Sequence, residues 1–149
     1  HLAHVIWRAH YPGIITAEQI DYMLARGYAI EALAEFVGVP ERGLELVLVG
    51  GEPSGFAAWY RIADSAEAKL DKLYVLQSRQ RTGLGGRLIA RVAEKARATG
   101  AMTLILNVNK NNVHAIRAYE RHGFAIRESV VVDIGNGFVM DDFVLSRDI

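Results

Sequence analysis

The amino-acid sequence predicts a mixed α/β (α+β) protein. One domain over residues 1–149 would be built on a mixed central sheet of about six or seven strands, with helices on both faces. Three observations predict it. The segment Ala68–Val108 reads strand, amphipathic helix, strand, a unit that pairs its strands in parallel through a right-handed crossover. Hairpin signals stand on either side of that unit, GGEPS at 50–54 and GNG at 135–137. The 149 residues contain no repeat, linker or low-complexity stretch, so a single core is expected.

Each element has its own warrant. Thr16 with Gln19 three positions later forms a capping-box pattern, and Ile20, Met23 and Leu24 then follow helical spacing. AIEALAEFVGVP continues as helix from about Ile30 to Val37 and stops at Gly38 and Pro40. Leu44–Val49 and Gly55–Ala63 read as strands, followed by a third over Ala68–Val75. From Gly83 a long helix carries Leu84, Leu88, Val92 and Ala96 in one row with Ile89 and Ala93 beside it. Arg87, Arg91, Glu94 and Lys95 form its wet face, and Gly100 ends it. MTLILNV is a strand, NNVHAIRAYERHG a short helix, and the last two strands run over about Ala125–Ile134 and Phe138–Ser146.

Composition narrows the function. Formal net charge is zero, which argues against nucleic acid or an anionic membrane as partner. The absence of cysteine removes thiolate zinc sites and a cysteine nucleophile. His1, His4 and His10 have no clustered acids beside them, so no metal is expected. No apolar run reaches the roughly 18 residues of a membrane span, no signal peptide is visible, and a cytoplasmic location is the expectation.

The junction QRTGLGGR, Gln80–Arg87, places Gly83, Gly85 and Gly86 at a helix N-terminus straight after a strand. First-turn N–H groups lack intrahelical partners, the helix dipole favours an anion there, and glycine lets backbone approach a phosphate. Arg79, Arg81 and Arg87 add charge nearby, and Thr82 could cap the helix. The plain alternative is a tight turn with solvated arginines. Two nucleotide motifs are excluded. No Gly-Lys-Ser/Thr follows the glycines, and the dinucleotide fingerprint would need a small residue at Leu88 and an acid about 20 residues on.

What remains, Gln80-Arg81-Thr82-Gly83-Leu84-Gly85, resembles the Q/R-x-x-G-x-G/A acyl-coenzyme A loop of the GNAT superfamily of N-acetyltransferases. NNVHAIRAYERHGF resembles that superfamily's N-x-x-A-x-x-x-Y-x-x-x-G-F block, with Asn112, Ala115, Tyr119, Gly123 and Phe124 in register. The two blocks stand in this order, about one βα unit apart. The likeness extends through YPGIITAEQIDYML and DIGNGFVMDDFVLSRDI to nearly the whole chain. The superfamily opens with a strand and a helix, of which HVIWRAHYPG would be only the tail, so an N-terminal strand is expected to be missing.

The resemblance implies acetyl-CoA as cofactor, held in a cleft between the two parallel strands as they splay. Leu73, Tyr74 and Val75 would pair with the pantetheine arm and supply the oxyanion donor. Gln80, Arg81, Thr82, Gly83, Leu84, Gly85 and Gly86 would form the pyrophosphate loop, and Asn112 and Ala115 would meet the cofactor arm. Tyr119 would protonate the departing thiolate; its plain alternative is an aromatic packing the short helix on the sheet.

Asp71 is a candidate base, expected by period-two alternation to share a face with Leu73 and Val75; its alternative is a salt bridge to Lys69 or Lys72. Asp141 and Asp142 are further acids that could bind a cationic amine, one of them facing solvent. Asn107 stands in Leu-Asn-Val where the branch that acetylates ribosomal-protein N-termini commonly has glutamate, and an amide cannot take a proton. Tyr11, Tyr28, Asn107 and Asp142 are therefore the expected acceptor contacts. The expected activity is acetyl transfer to a primary amine of a small molecule. The alternatives are a peptide or protein amine, or a non-catalytic acyl-CoA sensor. The last hairpin could expose an edge for a homodimer.

Overall fold

A computed structural model describes all residues, 1–149. The chain runs α1 (Leu2–His10), α2 (Ala17–Gly27), α3 (Ile30–Ala34), β1 (Arg42–Val49), β2 (Glu52–Arg61) and β3 (Glu67–Val75). A 3-10 turn over Gln77–Arg79 leads to α4 (Leu84–Ala98), β4 (Thr103–Asn109), α5 (Val113–Arg121), β5 (Ala125–Gly135) and β6 (Phe138–Asp148). The strands form one six-stranded mixed sheet in the order β1-β2-β3-β4-β6-β5, with β3 and β4 its parallel pair. No helix is long and apolar enough to cross a membrane.

Two cores sandwich the sheet. On one face Leu88, Ile89, Val92 and Ala96 of α4 pack on Ala57, Trp59, Ala68, Leu70, Leu104 and Leu106, with Tyr119 and Ile116 of α5 at the margin. On the other, Ala3, Ile6 and Trp7 of α1 and Ile20 and Leu24 of α2 bury Phe56, with Tyr74 against them. At about 25 cal/mol per Å² of apolar area, these two layers supply most of the driving force for folding. Thr16 caps α2 as its spacing requires, its hydroxyl accepting from Gln19 N at 3.2 Å.

Some boundaries differ from expectation. HVIWRAHYPG lies mostly within a helix, α1, because Ala3, Ile6 and Trp7 recur on one buried face. The helix expected to Val37 ends at Ala34, since Phe36 and Val37 donate to Leu33 and Ala34, three residues back, in a closing turn. β2 starts at Glu52, earlier than read, because Gly50 and Gly51 both take positive φ, 61° and 86°, and make a tight hairpin turn.

The feature that positions the site is the parting of β3 and β4. They pair only at Glu67↔Thr103, Ala68↔Leu104 and Lys69↔Ile105. Beyond Lys69, β3 stays on β2 and β4 stays on β6, so the sheet opens between them. A register shift lies just past the last pair: Trp59 faces Leu70 and Ala58 faces Lys72, leaving Asp71 as the extra residue of a β-bulge. A bulge bends its strand and adds local twist, which carries β3 away from β4.

Candidate active site

The loop at the mouth of this opening is built to present backbone donors. Arg81 takes φ 61° and Gly83, the N-cap of α4, takes φ 84°. For arginine the left-handed region costs about 1–3 kcal/mol, strain that the surrounding fold must offset. Thr82 does not cap the helix as expected; its hydroxyl donates to Arg79 O at 2.6 Å, and the cap position falls to Gly83, which has no side chain to offer. The N–H groups from Arg81 to Gly86 consequently find no acceptor in the protein. Leu84, buried among the core residues, anchors the first turn.

The glycines serve different ends. A Cβ on Gly83 or Gly85 would meet nothing within 4 Å, leaving open space above the loop. A Cβ on Gly86 would come 2.6 Å from His122 Cε1, so this glycine makes room for the imidazole at the end of α5.

From this loop a cavity of about 1130 Å³ passes through the parted strands to the opposite face of the sheet. Leu73, Tyr74, Val75, Gln80, Arg81, Gly83, Gly85, Gly86, Asn112, Ala115 and Tyr119 all line it; Thr82 and Leu84 do not. Leu76 N donates to Ser54 O, across β2, at 2.9 Å. By strand alternation the N–H and C=O groups of Leu73 and Val75 then point away from β2, into the opening. Gln80 Nε2 donates to Val75 O at 3.5 Å and ties the loop to the end of that strand. Asn112 is committed to capping α5, its Oδ1 accepting from Ala115 N at 3.3 Å. A smaller cavity of about 700 Å³ between α1 and the start of α5 shares Ile6, His10, Gln77, Gln80, Asn112 and His114 with the larger one.

Tyr119 projects from α5 into the cavity, with its ring edge-on to Phe124 at 5.7 Å. Burial pushes its phenol up to about 12, because the phenolate would lose its water.

Asp71 does not share a face with Leu73 and Val75. The bulge interrupts the alternation and turns Asp71 with Lys72 toward α2 and α3, where Asp71 Oδ2 lies 2.5 Å from Lys72 Nζ. Lys72 in turn stands over the rings of Tyr28 and Phe36, at 5.2 and 5.1 Å. On β6 the two neighbouring acids diverge. Asp141 is exposed and pairs with Lys110, whereas Asp142 is only 3% exposed, lines the cavity and has Oδ1 without a partner. Burial pushes the Asp142 carboxyl up, an effect that Asn107 and Lys69 partly oppose.

Residues 6–124 match the family model described as the acetyltransferase (GNAT) family. The chain belongs to that family. It is 28% identical over 138 residues to an uncharacterized N-acetyltransferase of Mycobacterium tuberculosis, covering 93% of this chain and 87% of the relative. The fold is similar to that of the PaiA N-acetyltransferase from Thermoplasma acidophilum, solved in complex with coenzyme A. That likeness has a TM-score of 0.84 at 19% identity, covering 99% of this chain and 89% of the other. The ribosomal-protein-S18-alanine N-acetyltransferase from Escherichia coli is similar at TM-score 0.66 and 24% identity, over 81% of this chain and 77% of the other.

In this GNAT-family chain the wall opposite the loop is aromatic. Tyr11 and Tyr74 hydroxyls meet at 3.3 Å, Trp7 lies 4.3 Å from Tyr11, and Tyr28 lies 5.3 Å from Trp7. Burial raises the phenols of Tyr11, Tyr28 and Tyr74, so all three are neutral donors near neutrality. Among the lining residues that the sequence analysis does not name for the site are Tyr22, Arg26, Lys69 and His122. The second glycine of the Gly85-Gly86 pair was the only local trace of His122. Tyr22 and Arg26 reach the site because both bond to Ile134 O in the last hairpin, a contact no local pattern announces.

Proposed function

We propose that this GNAT-family protein transfers an acetyl group from acetyl-CoA to the primary amine of a small molecule, by direct attack in a ternary complex. The observation that carries the reading is the row of unpaired N–H groups from Arg81 to Gly86, at the mouth of a cleft that Tyr119 lines. Acetyl-CoA would supply an activated acyl thioester. The loop N–H groups would hold its pyrophosphate, as helix N-termini do for anions. The inward-pointing groups of Leu73 and Val75 would align the arm and stabilise developing negative charge on the acyl oxygen. Tyr119, kept protonated by its burial, would give its proton to the departing sulfur.

The wall of Tyr11, Tyr28, Asn107 and Asp142 would receive the acceptor. Asn107 supports a small amine over a protein N-terminus, since it cannot take the proton that glutamate could. Exposed Val131 and Val132 on the edge strand β5 support a homodimer, which sedimentation would test.

The deciding experiment is thiol release from acetyl-CoA with simple primary amines and short peptides side by side, alongside thermal shift with acetyl-CoA. Acetyl-CoA at about 100 times its Kd should stabilise the fold by about 2.7 kcal/mol. No shift would refute cofactor binding, and turnover confined to peptides would refute the small-amine reading.

A further inference from the structure

Primary amines arrive at neutral pH as ammonium ions, which have no lone pair to attack with. Some group must take a proton, and three acids line the cavity: Asp71, Asp133 and Asp142. Asp133 is exposed, and its Oδ1 accepts from Gly135 N at 2.8 Å in the last hairpin. Asp71 is already engaged: the bulge hands its carboxylate to Lys72, itself fixed over Tyr28 and Phe36. Asp142 is different. It is 3% exposed, its Oδ1 has no hydrogen-bond partner, and it lines the same cavity as Tyr119. A buried carboxylate oxygen left without a donor costs about 1–3 kcal/mol or more, a cost that a cationic ligand bound there would offset.

We propose that Asp142 receives the acceptor ammonium and takes its proton, which makes the acceptor a small cationic primary amine and Asp142 a catalytic residue. The inference rests on the acetyltransferase reading above and deepens it. Tyr11, Tyr119 and Asp142 line the same cavity, so proton donor and proton acceptor open onto one space. The groups that face Asp142 are Asn107 and Lys69, which favour its charge, Asp141, which opposes it, and Lys110, which favours it while paired with Asp141. The raised carboxyl that burial produces is a stronger base than an exposed aspartate.

The step balances. The ammonium gives one proton to Asp142 Oδ1, and the freed lone pair forms the C–N bond to the acyl carbon. The C–S bond breaks with its electron pair on sulfur, and sulfur takes the Tyr119 proton. The second nitrogen proton restores the phenol through water. Asp142 then releases its proton to solvent, and the net products are amide, thiol and one proton.

The test is Asp142→Asn, which keeps shape and removes basicity, with Asp141→Asn on the solvent face as control. The amines are butylamine, an ammonium ion at neutral pH, and methoxyamine, which is neutral there. With butylamine kcat should fall about 100-fold or more, the usual scale of general base catalysis, and should recover as pH rises. With methoxyamine the loss should be below about tenfold, and acetyl-CoA Kd and the far-UV spectrum should match wild type. Equal losses with both amines, or no loss in Asp142→Asn but a loss in Asp71→Asn, would overturn the assignment. Wild type that binds acetyl-CoA yet acetylates no amine would overturn the function beneath it.

Discussion

Substituting Gly83 tests whether the loop conformation, rather than its sequence, makes the anion site. Gly83 sits at φ 84° and ψ −3°, and a Cβ there meets nothing within 4 Å, so Gly83→Ala adds backbone strain without a clash. A left-handed alanine costs about 1–2 kcal/mol. In a domain of this size 1 kcal/mol moves Tm by about 2–4 °C, so melting should fall by about 2–8 °C. If the chain relieves the strain by leaving φ 84°, the N–H groups of Arg81 to Gly86 stop converging. Losing one or two hydrogen bonds to a charged phosphate removes about 1.5–3 kcal/mol each, which is about tenfold or more in Kd. Differential scanning fluorimetry and acetyl-CoA titration calorimetry read the two effects separately. Melting at the wild-type temperature with unchanged Kd would show that the left-handed cap has no part in binding.

The mirror-image substitution is Arg81→Gly. It should leave stability within about 1 kcal/mol, since relief at φ 61° offsets the added chain freedom, yet weaken acetyl-CoA binding; a large fall in Tm would contradict the strain argument. Tyr119→Phe should lower turnover at least about tenfold while acetyl-CoA still binds, and unchanged turnover over the whole pH range would exclude the proton-donor role. Raised folded-state phenols at Tyr11, Tyr28, Tyr74 and Tyr119 hold protons that the unfolded chain releases near its ordinary value. Stability should therefore fall as pH rises above about 10, measured by urea unfolding, and the fall should be shallower in Tyr74→Phe. Asp142 works in the opposite range: its folded carboxyl is raised, so the ionised form costs stability as pH climbs through and above the carboxylate range. Asp142→Asn should melt higher than wild type at neutral pH and lose that advantage below about pH 3.9.

The parts of the fold written in local chemistry were legible in the sequence. Thr16 with Gln19, the GNG turn and the apolar row of α4 each depend on residues a few positions apart, and the structure has them where spacing put them. The glycine junction was legible for the same reason. What failed depended on partners far along the chain. The face of Asp71 is set by how β3 registers on β2, and one extra residue reverses the alternation. Which of Asp141 and Asp142 turns inward depends on β6 lying against β4, where Asp142 stands opposite Asn109. Helix α1 carried a readable face in Ala3, Ile6 and Trp7, but it is short and has no side-chain cap to mark its start.

The bulge joins these observations into one device. An uninterrupted β3 would alternate Asp71 onto the face of Leu73 and Val75, placing a carboxylate on the cofactor side, where it would repel both phosphate and a developing oxyanion. The extra residue instead sends Asp71 to Lys72 on the acceptor side. It also bends the strand where pairing with β4 ends, so the groups of Leu73 and Val75 are released into the opening. The buried carboxylate oxygen left without a partner in the cavity is then that of Asp142, on the acceptor-side wall, where an ammonium ion can meet it. Deleting Asp71 should restore a regular β2–β3 ladder and close the cleft toward β4. The expected outcome is a folded protein, by circular dichroism, that no longer gains melting temperature from acetyl-CoA. A deletion variant that folds and still shows the full acetyl-CoA shift would mean that something other than the bulge holds the two parallel strands apart.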